Sequence, residues 1–266
     1  MNIKLAQHFL IDKNISKKIV DSLELTDKDN VIEIGPGKGV LTQFIIPYVN
    51  SLIAVELDRN LCTELENRFH TYTNLKIINT DFLNWDIPCM ENLKFVGNIP
   101  YYITSPILEK VIKYKNWLVI VFTIQKEVAE RIIATPGTKE YSSLTLFTQF
   151  YTSPKIITKI PSTCFYPKPK VSSAVVKFVP NNSLIVDTEF SNKLFKIIHG
   201  VFKYRRKTIY NSIMLNFKLF RTKIDKNFLL NLLISCNISP DLRPENITLE
   251  KYIELSLKLD KFFHII

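Results

Sequence analysis

Short apolar runs, each closed by a glycine, an acid or an amide, recur through the first 180 residues. Residues 31–34 run into Gly35-Pro36-Gly37-Lys38-Gly39, residues 52–55 end at Glu56, residues 76–80 end at Asp81, and residues 93–96 deliver Asn98-Ile99-Pro100-Tyr101. Apolar runs of this length bounded by turn residues predict strands, and the pattern over 41–46 predicts the start of a helix. Strand and helix patterns alternate as far as a last strand at 173–179; beyond Pro180-Asn181-Asn182-Ser183 the pattern turns helical. Alternation predicts a parallel sheet with helices on both faces, and the tail a small helical domain. The expected division is therefore 1–180 and 181–266.

Candidate chemistry collects at the ends of these strands. Three of the six glycines lie between positions 35 and 39, and glycine is used where backbone turns with positive φ or approaches a ligand closely. A dinucleotide fingerprint would want its third glycine where Val40 stands, and a P-loop would want Ser or Thr where Gly39 stands. Neither phosphate motif is met, and the loop is of the type found in S-adenosylmethionine enzymes. Glu56 lies 21 residues after Gly35, where doubly wound folds place the acid that bonds ribose hydroxyls. Asp81 is suited to accept a hydrogen bond from an adenine amine. Each acid alone is more often a solvated loop carboxylate; a row of them along one sheet edge marks the ligand crevice of an open α/β sheet.

The Asn98 motif suits methylation of a base amine. An exocyclic adenine nitrogen is a poor nucleophile because its lone pair is delocalised into the ring. The Asn98 side-chain carbonyl and the Pro100 backbone carbonyl can accept the two amino hydrogens, while Tyr101 stacks on the extruded base. The competing reading is a plain Asn-x-Pro turn.

These residues, with Gln7-His8-Phe9-Leu10, Gln125-Lys126-Glu127-Val128-Ala129, Pro136-Gly137-Thr138-Lys139-Glu140-Tyr141, Phe165-Tyr166-Pro167-Lys168-Pro169-Lys170-Val171, Arg205-Arg206-Lys207-Thr208 and Arg243-Pro244-Glu245-Asn246-Ile247, make the chain resemble the ribosomal RNA adenine dimethyltransferases. The resemblance runs almost end to end. It implies a Rossmann-like class I S-adenosylmethionine-dependent methyltransferase sheet of seven strands with a small C-terminal helical domain. It also implies dimethylation of N6 on two adjacent adenosines near the 3′ end of small-subunit RNA. Carried over by position, the cofactor contacts fall on His8, Leu10, Gly35, Glu56, Asp81 and Asn98, with Gly37 in the same loop, and Phe165 becomes the ring that sandwiches the adenine with Tyr101. A core-packed Phe165 is the competing reading. Many relatives carry Asn where this chain has His8, so His8 is expected to act through its backbone. Two alternatives remain: a macrolide-resistance type methyltransferase of large-subunit RNA, and a non-catalytic assembly or transcription factor on the same scaffold.

Composition narrows the partner. The chain has 266 residues, 46% of them hydrophobic, and a formal charge of +10. That is length enough for one large domain and a small one. No apolar run reaches the roughly 18 residues of a membrane helix, and the start lacks a signal-peptide core, so a cytoplasmic location is expected. Cys62, Cys89, Cys164 and Cys236 are isolated, which predicts free thiols and no metal site. Between Lys193 and Lys226 stand ten Lys or Arg and one acid, Asp225, a density that suits a phosphate backbone. Projected as one helix, Phe195, Ile198, Phe202, Ile209 and Ile213 share a stripe, with Lys196, Lys203, Lys207 and Tyr210 on another. Lys203, Arg206 and Lys207 are the candidate RNA contacts, although a basic solvated face is the usual explanation of such a stripe. Arg205 projects onto the apolar stripe and is expected to pair with an acid of the other domain. The expected partner is ribosomal RNA in a pre-ribosomal particle, bound by a monomer.

Overall fold

The computed structural model describes residues 8–181, 187–216 and 225–263. The chain divides into two compact units: residues 1–130 with 151–180, and 131–150 with 181–266. The second unit is thus discontinuous in sequence. Residues 131–150, expected with the first domain, group with the C-terminal helices.

In chain order the first unit contains β1 (Phe9–Leu10), α1 (Lys13–Asp21), β2 (Asn30–Ile34), α2 (Thr42–Ile45), β3 (Ser51–Glu56), α3 (Arg59–Phe69), β4 (Leu75–Asn79), β5 (Leu93–Asn98), α4 (Thr104–Lys113) and β6 (Trp117–Gln125). Helices α5 (Lys126–Ile132) and α6 (Ser143–Tyr151) lead into and out of the second unit, after which β7 (Thr152–Ile160), β8 (Phe165–Tyr166) and β9 (Ser173–Pro180) complete the first. Seven strands form one sheet in the order β4-β3-β2-β5-β6-β9-β7. The β2, β3, β5 and β6 runs are buried almost throughout, as expected of parallel strands covered on both faces. The five strands from β4 to β6 are parallel, whereas β9 runs antiparallel to both β6 and β7. The sheet is thus mostly parallel, as expected, with its antiparallel pairs confined to this edge. The link from β7 to β9 carries no crossover helix, which a parallel pair would need.

Strand order reverses between β2 and β5: the chain adds β3 and β4 on one side, then returns to place β5 and β6 on the other. A crevice opens at such a switch point, beyond the carboxyl ends of the strands. Helix starts here are set by local chemistry. Asp12 caps α1 by accepting from the Asn14 and Ile15 amides, and Asp58 caps α3 through the Asn60 amide. The helix expected from residue 41 is one turn, Thr42–Ile45, followed by a 3-10 turn over Ile46–Tyr48. Pro47 supplies no N–H to continue it.

The apolar run of β5 contains a charge. Lys94 is buried and donates to Asp29 at 2.8 Å and to the Glu24 carbonyl at 2.7 Å. A short ribbon pairs β1 with β8, with Phe9 opposite Tyr166 and Leu10 opposite Phe165. It joins two segments that are 155 residues apart in the sequence and closes part of the core around Leu10, Leu23, Val96 and Val175.

The second unit contains α7 (Thr188–Phe202), α8 (Ile209–Leu215), α9 (Lys226–Ser235) and α10 (Leu249–Phe263). Phe147 and Phe150 both pack edge-on against Phe195 with ring centroids 5.3 Å apart. The buried Tyr141 hydroxyl donates to the Ile247 carbonyl at 3.1 Å. These contacts explain why residues 131–150 belong here. The single helix projected through 195–213 is two: α7 ends at Phe202, turns follow, and Thr208 caps α8. Ile209 and Ile213 are nonetheless buried.

Candidate active site

The crevice at the switch point is lined by residues from every strand end the sequence singled out: Gly35 and Gly37 after β2, Glu56 at the end of β3, Asp81 just past β4, and Asn98, Pro100 and Tyr101 after β5. His8 and Leu10 line it as well, joined by Glu33, Phe82 and Tyr102.

The glycines divide their work. Gly35 has φ +65°, and a Cβ built there would meet no protein atom within 4 Å, so the space in front of it belongs to the cavity. At Gly39, φ +73°, a Cβ would stand 2.6 Å from the Phe69 ring and 2.8 Å from Leu65. Gly39 therefore serves packing on α3 rather than a ligand. Arg68 of α3 braces the same loop, donating to the Lys38 carbonyl at 2.6 Å and to Gln43 Oε1 at 2.9 Å.

Glu56 is almost fully buried. Its Oε1 accepts from the Leu57 and Asp58 amides at 2.9 and 3.0 Å, and its Oε2 from the Gly37 amide at 3.1 Å. Three donors hold the carboxylate rigid, and a carboxylate has about four acceptor positions, which leaves room for a ribose hydroxyl. Asp81 accepts from the Leu83 amide at 2.9 Å and from Asn84 Nδ2 at 3.0 Å and keeps acceptor capacity likewise. The turn after Asp81 is gathered by Lys110 of α4, whose ammonium donates to the carbonyls of Phe82, Leu83 and Trp85. This acceptor set with an open glycine backbone fits an adenosine-bearing cofactor.

Asn98 donates its Nδ2 to the His8 carbonyl at 2.8 Å. That bond orients the amide, leaving Oδ1 as an acceptor to which no described residue donates. The His8 backbone carbonyl thus holds Asn98 in place. The Pro100 carbonyl accepts from the Ile103 amide at 3.1 Å and lies 3.3 Å from the Thr104 hydroxyl, which is equally close to the Tyr101 carbonyl; an incoming amino hydrogen would take the place of that hydroxyl. Tyr101 is anchored by its hydroxyl at 2.8 Å from Ser173 Oγ, at the buried start of β9.

Phe165 requires a correction. The ring is 3% exposed, sits in the apolar cluster with Leu10, Ile160 and Val175, and is not among the residues lining the crevice. Its pairing in the β1–β8 ribbon turns it inward, where burying an aromatic ring is worth a few kcal/mol. It is Tyr166, 72% exposed, that faces solvent on this segment.

Glu33, Arg68, Lys110 and Ser173 were not singled out from the sequence. Glu33 carries the clearest signal, a carboxylate inside an apolar run. It is 1% exposed and accepts from the Thr42 hydroxyl at 2.7 Å. Burial pushes its pKa up to about 7, with the Glu56 carboxylate adding to the rise against the opposing Thr42 bond.

In the second unit Lys203, Arg206 and Lys207 are exposed. They stand in the turns between α7 and α8 rather than along one helix face, while Lys218, Arg221 and Lys223 lie outside the described residues. Arg206 lines a cleft with Lys139, Arg205 and Arg243. Arg205 donates to the Lys139 carbonyl at 2.6 Å, and its Nε lies 3.5 Å from Glu245 Oε2. The acid expected from the other domain is thus in the same unit. The four cysteines are free thiols, and no helix among the described residues is long and apolar enough to cross a membrane.

The profile of the family "Ribosomal RNA adenine dimethylase" matches residues 1–238. The ribosomal RNA small subunit methyltransferase A of Levilactobacillus brevis is 39% identical over 264 residues, covering 95% of this chain and 88% of that protein. Among solved structures, a dimethyladenosine transferase from Plasmodium falciparum superposes with a TM-score of 0.84 at 25% identity, covering 96% of this chain and 98% of that one. The 23S rRNA methyltransferase ErmE superposes at 0.73 with 24% identity, over 95% and 99% of the two chains, and shares the fold. Sheet order, switch-point crevice and these likenesses establish the class I methyltransferase fold. With a family match over most of its length and a relative of this identity, the chain belongs to the ribosomal RNA adenine dimethylase family.

Proposed function

We propose that this chain is the enzyme that dimethylates N6 of two adjacent adenosines near the 3′ end of small-subunit ribosomal RNA, acting as a cytoplasmic monomer on a pre-ribosomal particle. The observation that carries the reading is Asn98. Its amide nitrogen is committed to the His8 carbonyl, so the oxygen is presented as an acceptor beside Pro100 and Tyr101 in a crevice that also holds Gly35, Glu56 and Asp81. S-adenosylmethionine, when bound, supplies a methyl group on a sulfonium that the adenine nitrogen displaces in line.

The residues then act by position and electrostatics. Glu56 takes a ribose hydroxyl, Asp81 the cofactor's adenine amine, and the backbone at Gly35, Gly37, His8 and Leu10 shapes the pocket. Asn98 Oδ1 and the Pro100 carbonyl accept the target amino hydrogens and so draw the nitrogen's lone pair out of conjugation, and Tyr101 stacks on the base; the thioether is the leaving group, and the methylated ammonium gives its proton to water. Lys203, Arg206 and Lys207 hold RNA through phosphates, which position the substrate without reading sequence. The family profile and the named small-subunit relative favour this substrate over large-subunit RNA.

The test is methyl transfer from labelled S-adenosylmethionine to small ribosomal subunits that lack the modification, with the products mapped. Label in two adjacent adenosines near the RNA 3′ end is expected. Label confined to large-subunit RNA, or none, overturns the reading.

A further inference from the structure

Phe165 is buried outside the crevice and does not supply a second ring beside Tyr101. The ring that does meet Tyr101 is His8: the centroids are 5.9 Å apart and the planes tilted by 32°. We propose that the His8 imidazole is the second aromatic wall for the target adenine, covering the Tyr101 face before substrate enters and closing over the base afterwards. This rests on the adenine-methylating reading above.

The two rings are held differently. Tyr101 is fixed at its far end by Ser173, whose residue is fully buried. The His8 ring is tethered at one point, Nδ1 donating to the Pro167 carbonyl at 2.7 Å. Its backbone is fixed, because the His8 carbonyl accepts from Asn98 and the next residues pair in β1. The imidazole can therefore turn about its side-chain torsions while its root stays beside the acceptor that takes the amino group. A base inserted between two rings needs them about 7 Å apart, twice a ~3.5 Å contact distance. The observed separation is one short movement below that, and the tilt opens a wedge. Histidine is among the side chains on which unpaired RNA bases stack. The role is specific to the imidazole and separate from the backbone part His8 plays at the cofactor pocket.

The experiment compares wild type, His8→Ala and His8→Phe on unmethylated small ribosomal subunits, with S-adenosylmethionine affinity of each free protein measured by calorimetry. His8→Ala is expected to lower kcat/KM for the particle about 5- to 150-fold, the range for loss of one base–aromatic stack, with cofactor affinity unchanged. His8→Phe is expected to recover most of that loss. The proposal is overturned if His8→Ala keeps wild-type kcat/KM, if it loses cofactor affinity in proportion, or if His8→Phe fails to recover. Retained cofactor affinity also establishes that a variant is folded. Failure of the wild type to methylate the particle is a different result: it removes the functional reading and this proposal with it.

Discussion

Glu33 has a stability consequence that its neighbours do not. Its carboxyl is neutral in the folded chain up to about pH 7, whereas in the unfolded chain it ionises near the ordinary value. Between these two values the folded state binds the extra proton, so stability falls as pH rises from about 4.5 to about 7, then levels off. The full effect is on the order of 3 kcal/mol. Glu33→Gln keeps an acceptor for Thr42 and has no charge to bury. Denaturant melts should therefore find it equal to wild type below about pH 4.5, progressively more stable up to about pH 7, and ahead by a constant margin above that. A constant difference across that window would contradict the assignment. Glu56 is of the opposite kind, a carboxylate held by three amides. Glu56→Ala should weaken S-adenosylmethionine binding by at least 1–3 kcal/mol, the cost of a hydrogen bond to a charged group, as read by calorimetry. Unchanged affinity would return Glu56 to a structural role.

At the scale of elements, the strands that carry the site also carry a buried ion pair. Asp29 leads into β2 and Lys94 lies in β5, so their 2.8 Å contact ties the two strands that flank the switch point. Removing one partner strands the other charge in the interior. Asp29→Ala should cost about 3–5 kcal/mol in chemical denaturation, and a cost near zero would mean that Lys94 finds water instead. The elements also explain what could be read from the chain. Gly35, Glu56, Asp81 and Asn98 were legible because each closes an apolar run, and parallel strands place their carboxyl ends on one edge. Glu33 stood out only as a carboxylate inside an apolar run, since its partner Thr42 lies outside the strand and no pattern pairs the two. Phe165 was legible as a ring in a restrained loop, but only its pairing with Leu10 across the β1–β8 ribbon decides that it packs inward.

On the scale of the whole molecule, the two units divide along contacts that no local pattern reveals. Residues 131–150 lie within the alternating segment of the sequence, yet Phe147 and Phe150 meet Phe195, and Tyr141 meets Ile247. The break near Pro180 was visible as a change of pattern; the two crossings near residues 131 and 151 were not. The basic tail was visible from charge alone, while the turns between α7 and α8 displace Lys203, Arg206 and Lys207 from a single helical stripe. Reversing these three to Glu should weaken RNA affinity and flatten its salt dependence by about 0.7 to 0.9 log units per lost phosphate contact, leaving cofactor binding unchanged. A salt titration with unchanged slope and affinity would make that face solvated surface only.

The central claim is that Asn98 presents an acceptor to the target amine. The most direct measurement is the single-turnover rate of methyl transfer to unmethylated small ribosomal subunits, for wild type and Asn98→Ala, at saturating S-adenosylmethionine. The account predicts a folded variant slowed by about 10²-fold or more, with the wild type placing its methyl groups on two adjacent adenosines. Transfer by Asn98→Ala at the wild-type rate would contradict it.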